Sequence, residues 1–296
     1  MPSLTRPRTR AGRLLRATVI GMLVLFGLLW LADRLWPLPM PGDDLARVVL
    51  AEDGTPLWRF ADADGVWRYP VSPDEVSPLY LQALLTYEDR WFYSHPGVNP
   101  LALARAAWLN LRGGRVVSGG STLSMQVARL LDPHERTLAG KLRQLWRTAQ
   151  LEWHLSKREI LQIYLDRAPF GGTLQGVAAA SWAYLGKSPM HLTPAEAALL
   201  AVLPQAPSRL RPDRHPERAQ RARDKVLQRL AEYQVWPAQE IREAAEEPLV
   251  LAPRQEPALA PLLARRLNSA DSPPLIRTTL DAALQRPLED LVLGWR

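Results

Sequence analysis

The chain has 296 residues, 37 basic against 30 acidic side chains, 47% hydrophobic residues and no cysteine. This composition excludes a disulfide-stapled scaffold and a disordered acidic segment, and it leaves material for a large apolar core. Lysine occurs only at Lys141, Lys157, Lys187 and Lys225, so nearly all the positive charge is arginine, the side chain that grips phosphate oxygens bidentately.

Arg6, Arg8, Arg10, Arg13 and Arg16 precede an uncharged stretch from Ala17 to Ala32. Leu14 and Leu15 extend it toward the roughly 20 residues that cross a bilayer, while Arg16 snorkels and Trp30 and Trp36 mark the far interface. The arginines predict an N-terminus in the cytoplasm and everything after Asp33 exported. A cleaved signal peptide is the alternative, but bulky Trp30 stands where cleavage after Ala32 needs a small side chain. The reading in order is a basic cytoplasmic tail (1–16), a transmembrane anchor (17–36), a stiff proline-rich linker (37–45), one large domain (46–246) and a proline-rich tail (247–296). Exported arginines meet lipid head groups, pyrophosphates and acidic polymers, and no nucleic acid.

Beyond the linker, Val48, Val49, Leu50, Leu57, Trp58, Phe60, Val66, Trp67 and Tyr69 flank Asp53-Gly54 and Asp64-Gly65, which predicts a small β-meander over 46–70. The rest is predicted mainly α. Ser72-Pro73, Ser77-Pro78 and Asn99-Pro100 pair an N-cap with a first-turn proline. Apolar spacing predicts helices over 121–131, 138–155, 157–166, 174–185, 194–203 and 216–233. The stretch from Pro248 to Pro261 reads as a surface-running tail.

Glu88 closes an amphipathic helix in the run Glu88-Asp89-Arg90-Trp91-Phe92-Tyr93-Ser94-His95-Pro96-Gly97. A carboxylate withdrawn from water by Trp91, Phe92 and Tyr93 resists ionisation and becomes a stronger base, with Arg90 to keep it usable. An exposed acid paired with Arg90 is the plainer alternative. Farther on, Gly119-Gly120-Ser121-Thr122 runs into a helix whose start offers backbone N–H groups to an anion. Helical spacing puts Thr122, Gln126 and Arg129 on one side of it, with Leu123, Val127 and Leu130 on another.

In the helix from Leu138, the residues Leu138, Leu142, Leu145 and Ala149 are predicted to face a core, with Arg143, Arg147, Gln150 and His154 facing away. Lys141, Gln144, Thr148 and Glu152 form a boundary row fit to line a groove or to be solvated. Glu159 and Glu196 complete capping boxes with Ser156 and Thr193 and read as structural. The five histidines have no zinc-like spacing, and no P-loop or dinucleotide loop occurs, so neither a protein-built metal cage nor an organic cofactor is expected.

Taken in order, Glu88–Gly97, Gly119–Arg129, Lys141–Asp166, Gly171–Lys187 and Glu196–Ser208 resemble the five motifs of the peptidoglycan glycosyltransferase family, the synthase domain of class A penicillin-binding proteins and of monofunctional transglycosylases. The resemblance implies a lysozyme-like, mainly α domain in the bacterial inner membrane, its catalytic part periplasmic. It implies polymerisation of lipid II into β-1,4-linked glycan with inversion and release of undecaprenyl pyrophosphate. Glu88 is then the catalytic base. Asp89, Arg90, His95, Gly120, Ser121, Thr122, Gln126, Arg129, Lys141, Gln144, Thr148, Glu152 and Lys187 are candidates for substrate binding. Arg129, Lys141 and either Lys187 or Arg136 would meet the leaving pyrophosphate, with Mg2+ or another divalent cation as a candidate assistant. Lipid II, the growing glycan, the bilayer and other cell-wall synthesis proteins are the implied partners.

The chain departs from the family pattern at Gln144, where a second glutamate is usual, and at Met125 and Leu130, where polar residues are usual. Glu152, two turns on, is at best a partial substitute for the missing carboxylate. Ile276–Gln285 resembles the entry to a transpeptidase module, but no Ser-x-x-Lys, Ser-x-Asn or Lys-Thr-Gly triplet follows, so no transpeptidase activity is expected from these residues. A lysozyme-like glycan hydrolase and a non-catalytic scaffold remain as alternatives.

Overall fold

The computed structural model describes residues 10–42, 46–99, 108, 112, 120–135, 137–252, 259–269 and 272–293. The expectations attached to Arg6, Arg8, Pro100, Gly119 and Arg136 lie outside them. The chain divides into two compact units, Met1–Met40 and Pro41–Arg296.

The first unit carries helix α1 (Arg10–Leu35), of which the 23 residues Arg13–Leu35 are long and apolar enough to cross a membrane. At ~1.5 Å per residue such a helix outruns a hydrocarbon core of about 30 Å. Leu23, Phe26 and Leu28 are all exposed along it. Arg34 lies over the Trp30 ring at 5.3 Å, a pairing suited to the interface. Arg10, Arg13 and Arg16 belong to the helix itself rather than to a separate tail.

The second unit is mainly α, as expected. At its centre α7 (Pro194–Val202), apolar except for the first-turn Glu196, packs against α2 (Pro78–Glu88), α8 (Pro216–Glu232) and α9 (Ala238–Glu246). Its isolation from water follows from Ala195, Ala197, Leu199, Leu200 and Val202, all buried. A second layer joins α3 (Leu123–Leu131) to α4 (Leu138–His154) and α5 (Lys157–Arg167), and α5 contacts α6 (Val177–Leu185). Ser156 and Thr193 start α5 and α7 with the expected capping boxes to Glu159 and Glu196. Ser72-Pro73 opens only a single 3-10 turn.

Several expected boundaries shift for local reasons. Thr122, not Ser121, caps α3 by accepting from the Met125 N–H at 3.2 Å. The helix expected over 174–185 begins only at Val177, because Leu174–Gln175 is a strand and Gly176 turns the chain at φ +82°. A Cβ there would meet the Asp166 carbonyl at 2.6 Å, so the turn requires glycine.

The expected meander is also corrected. β1 (Val48–Leu50) and β2 (Pro56–Arg59) form an antiparallel hairpin around Asp53-Gly54, but β3 (Trp67–Arg68) leaves to lie parallel to β5 (Leu174–Gln175), which pairs on its other edge with β4 (Pro169–Gly171). The buried Arg68 guanidinium finds an acceptor there in Gln175 Oε1 at 2.8 Å. The free edge of β1 is taken by β6 (Leu275–Arg277), in parallel. The tail is therefore not merely a surface strand: Leu259, Ala264 of α10 (Pro261–Leu267) and Ala282 of α11 (Ala282–Leu293) share a small core with Val49, Ala51 and Leu57.

The largest correction concerns α4. Leu138 is 88% and Leu142 68% exposed, Ala149 is exposed, and the buried face is Gly140, Gln144, Thr148, Gln150 and Leu151. Apolar periodicity thus turned the helix by nearly half a turn, since the buried Gly140 and Gln144 follow the exposed Leu138 and Leu142 by two residues, about 200° around the helix. Satisfied hydrogen bonds make the polar face a viable core: Thr148 Oγ1 donates to the Gln144 carbonyl, and Gln144 donates to the Met125 carbonyl of the preceding helix α3.

Candidate active site

Glu88 ends α2, where the Asp89 N–H turns back to the Leu85 carbonyl. Its carboxylate is partly buried, and Oε2 accepts from Gln126 Nε2 at 2.8 Å. Burial pushes the Glu88 pKa up, and the neighbouring Asp89 charge adds to the rise. The Gln126 bond and the Arg229 charge oppose it. The setting differs from the one expected. Trp91 and Tyr93 are 57% and 61% exposed, and Arg90 stacks on Trp91 and, at 4.2 Å, on Tyr233. The groups that feel Glu88 electrostatically are Tyr80 and Tyr87 on α2 and Tyr164 on α5, with Arg229 of α8 seated 5.4 Å over the Tyr87 ring. None of these four was legible as a site residue, because helix packing, not sequence spacing, brings them together.

Asp89 and His95 are buried and hydrogen-bond each other at 2.8 Å, while Asp89 Oδ2 also accepts from the Leu123 N–H at 2.9 Å. A carboxylate of the protein therefore already sits at the α3 N-terminus, where an anion favours the helix dipole. Thr122 accepts from the Met125 N–H and gives its own hydroxyl to the Gly97 carbonyl. The expectation of free N–H groups awaiting a substrate anion is corrected in this respect. These contacts tie the Glu88 loop to α3 and thereby aim Gln126 at Glu88. Ser121 is exposed and Gly120 half-buried beside them.

Arg129 is exposed at the end of α3, and Lys141 stands close enough to feel its charge: the Lys141 pKa is lowered, chiefly by burial and then by Arg129. The exposed Arg129 and the half-buried Lys141 repel each other, and an anion between them would relieve both. Lys141 Nζ donates to Gln144 Oε1 at 3.1 Å, and Gln144 Nε2 donates to the Met125 carbonyl at 2.6 Å. Gln144 thus uses both ends of its amide to clip α4 to α3. Glu152 accepts from Ser124 at 2.5 Å and pairs with Lys157 at 2.7 Å, and the Lys157 ammonium also sits 4.6 Å over Phe92. Thr148 and Glu152 lie against Gly97, whose φ of +80° and missing Cβ admit them. Lys187 is engaged by Glu196 at 2.8 Å.

This donor set does not fit a resident divalent ion. Gln144 brings no charge, Glu152 is neutralised by Lys157, and among the described residues no three His, Asp or Glu side chains form a metal-holding group.

A helical unit that withdraws a glutamate from water at the end of one helix and brings two cations near each other on two others defines a class, and the chain belongs to it: the family model described as Transglycosylase matches residues 53–231. The chain is 66% identical over 273 residues to "Penicillin-binding protein 1C" of Escherichia coli (strain K12), covering 92% of this chain and 36% of that protein. It is 39% identical over 185 residues to "Penicillin-binding protein 1A" of Aquifex aeolicus (strain VF5), covering 62% of this chain and 26% of that one. A crystal structure of Penicillin-Binding Protein 1A from Haemophilus influenzae superposes over 76% of this chain and 24% of that one, with a TM-score of 0.42 and 21% identity. The chain spans roughly a quarter to a third of the length of these relatives.

Proposed function

We propose that this transglycosylase polymerises lipid II into β-1,4-linked glycan with inversion, releasing undecaprenyl pyrophosphate, and that Glu88 is its base. The observation that carries the reading is the Glu88 carboxylate itself, raised in pKa by burial and, among the described residues, held through one oxygen by Gln126. Gln126 fixes Oε2 and leaves Oε1 to take the proton from the acceptor sugar's 4-hydroxyl as that oxygen attacks C1 of the donor. Arg129 and Lys141 meet the negative charge that builds on the departing pyrophosphate. Asp89, His95 and Thr122 act one step back, by holding α3 in place.

Fluorescent lipid II incubated with the purified protein should be drawn into long glycan, and Glu88→Gln should abolish that product; full polymerisation by the variant would overturn the assignment. A raised glutamate pKa also suits the acid of a glycan hydrolase, which works with a second carboxylate. Against that reading, Asp89 is committed to His95 and the Leu123 N–H. Release of soluble fragments from intact sacculi would restore it.

In the same reading the apolar helix Arg13–Leu35 anchors the protein in the cytoplasmic membrane, with its arginines inside and Pro41–Arg296 in the periplasm beside other cell-wall synthesis proteins. The chain has no cysteine, so a single cysteine introduced at an exposed position such as Gln239 reports the topology directly. A membrane-impermeant maleimide should label it from outside.

A further inference from the structure

Helix α8 carries a basic surface that leads away from Glu88. At about 100° per residue, Arg218, Arg221, Lys225 and Arg229 fall within an arc of about 80°, and all four side chains are exposed. From Arg218 to Arg229 the row runs about 16 Å along the helix. On the other side of α8 the buried Arg223 donates to the Ala245 and Glu247 carbonyls, which puts the glutamate-rich α9 on the far flank.

The C-terminal end of the row meets the base. The Arg229 guanidinium lies 5.4 Å over the Tyr87 ring, one residue before Glu88. Just past the helix the Tyr233 ring takes Arg90, two residues after Glu88, at 4.2 Å, and Trp91 stands exposed on the same guanidinium. Arg90 thus continues the row into the Glu88 loop.

These cations are available. Among the described residues no acid forms an ion pair with Arg90, Arg218, Lys225 or Arg229, and Arg221 has only Glu217, 3.7 Å away with both side chains exposed. Of the other acids of α8, Asp224 is taken by Arg223 at 2.9 Å, and Glu232 alone falls within the arc. Five cations against Glu217 and Glu232 leave a positive surface of extended shape, suited to a ligand with several separated negative charges. A bilayer is the poorer match, because α8 exposes no large apolar side chain that could enter one.

We infer that this face of α8 is a track for an anionic polymer, and that the polymer is the glycan strand worked on at Glu88, held through the carboxylates of its side peptides. Guanidinium groups grip carboxylates bidentately, and a row of them holds a strand that can still slide, since each exposed pair is weak. The identity of the strand rests on the transglycosylase reading above. The requirement for an extended anion rests on the row alone.

The test is calorimetry on the full chain in detergent, titrated with soluble peptide-bearing glycan strands freed from sacculi by an endopeptidase. Combining Arg218→Gln, Arg221→Gln and Lys225→Gln should weaken strand binding about tenfold, the worth of three exposed ion pairs. Lysine at both arginine positions should retain it, and added salt should weaken binding by the parent. Neutral N-acetylglucosamine oligomers should not distinguish the variants. All three positions are exposed, so the thermal melt should hold, and the single charge reversal Lys225→Glu should lower strand affinity by itself. Equal strand binding by the parent, the triple variant and Lys225→Glu would overturn the proposal. So would binding that depends on these residues for phosphatidylglycerol vesicles but not for strands. A chain that binds strands through α8 yet makes no glycan from lipid II would refute the proposed function and leave the track standing. Polymerisation that needs Glu88, with strand binding indifferent to α8, would do the reverse.

Discussion

Gln126 donates its side-chain amide to Glu88 across 2.8 Å, so the base at the end of α2 is aimed by a residue one turn into α3. Around that bond, burial and the Asp89 charge raise the pKa, while Gln126 and Arg229 lower it. The net effect is a rise, which makes the ionised carboxylate a stronger base, the direction general base catalysis favours.

Replacing Glu88 by Gln should cost roughly 10²- to 10⁴-fold in glycan synthesis, the usual worth of a positioned base. It should also stabilise the fold at neutral pH. Below the ordinary value of 4.5 the carboxyl is protonated in both states; above it the unfolded chain ionises first, and stability falls until the raised folded pKa is passed. Thermal melts should therefore show the variant ahead at neutral pH, with the gap closing in acid. A gap that widens in acid would mean the folded pKa is depressed.

Arg229→Gln should push the Glu88 pKa further up and move the acid limb of the pH–rate profile to higher pH, because a cation that lowers that pKa is gone. Arg229→Lys restores the charge and should restore most of the profile, despite losing part of the stack on Tyr87. An acid limb indifferent to both changes would show that α8 does not tune the base.

Gln144→Glu puts a carboxylate where an amide now donates to the Met125 carbonyl at 2.6 Å. The swap loses that bond and faces two acceptors toward each other in a buried site, at about 1–3 kcal/mol. Chemical denaturation should show the loss, and glycan synthesis should not increase. A more stable and faster variant would mean that the helix clip is dispensable and the missing charge is what the site lacks.

The double change Leu138→Ser and Leu142→Ser decides which face of α4 is the core. With those leucines 88% and 68% exposed, stability should move by no more than about 0.5 kcal/mol for each, as at other surface sites. Removal of two core leucines would cost several times that, at about 2–5 kcal/mol each.

Local patterns carried a good part of this protein. The uncharged run after Arg16 could only be one long apolar helix, Ser156 and Thr193 announce their helices through short-range hydrogen bonds, and Asp53-Gly54 makes a hairpin wherever it lies between strands. Glu88, Gln126, Arg129 and Lys141 were visible as ordered motifs. Tertiary structure decided everything that depends on who meets whom. Periodicity sent Leu138 and Leu142 inward, yet the polar face of α4 is buried, because Gln144 finds the Met125 carbonyl and Thr148 its own helix backbone. β3 left its meander because the buried Arg68 required Gln175, over 100 residues away. Arg229 reached Glu88 because α8 packs on α2. A hydrogen bond between helices or the field of a distant guanidinium depends on separation in space, and sequence records separation only along the chain.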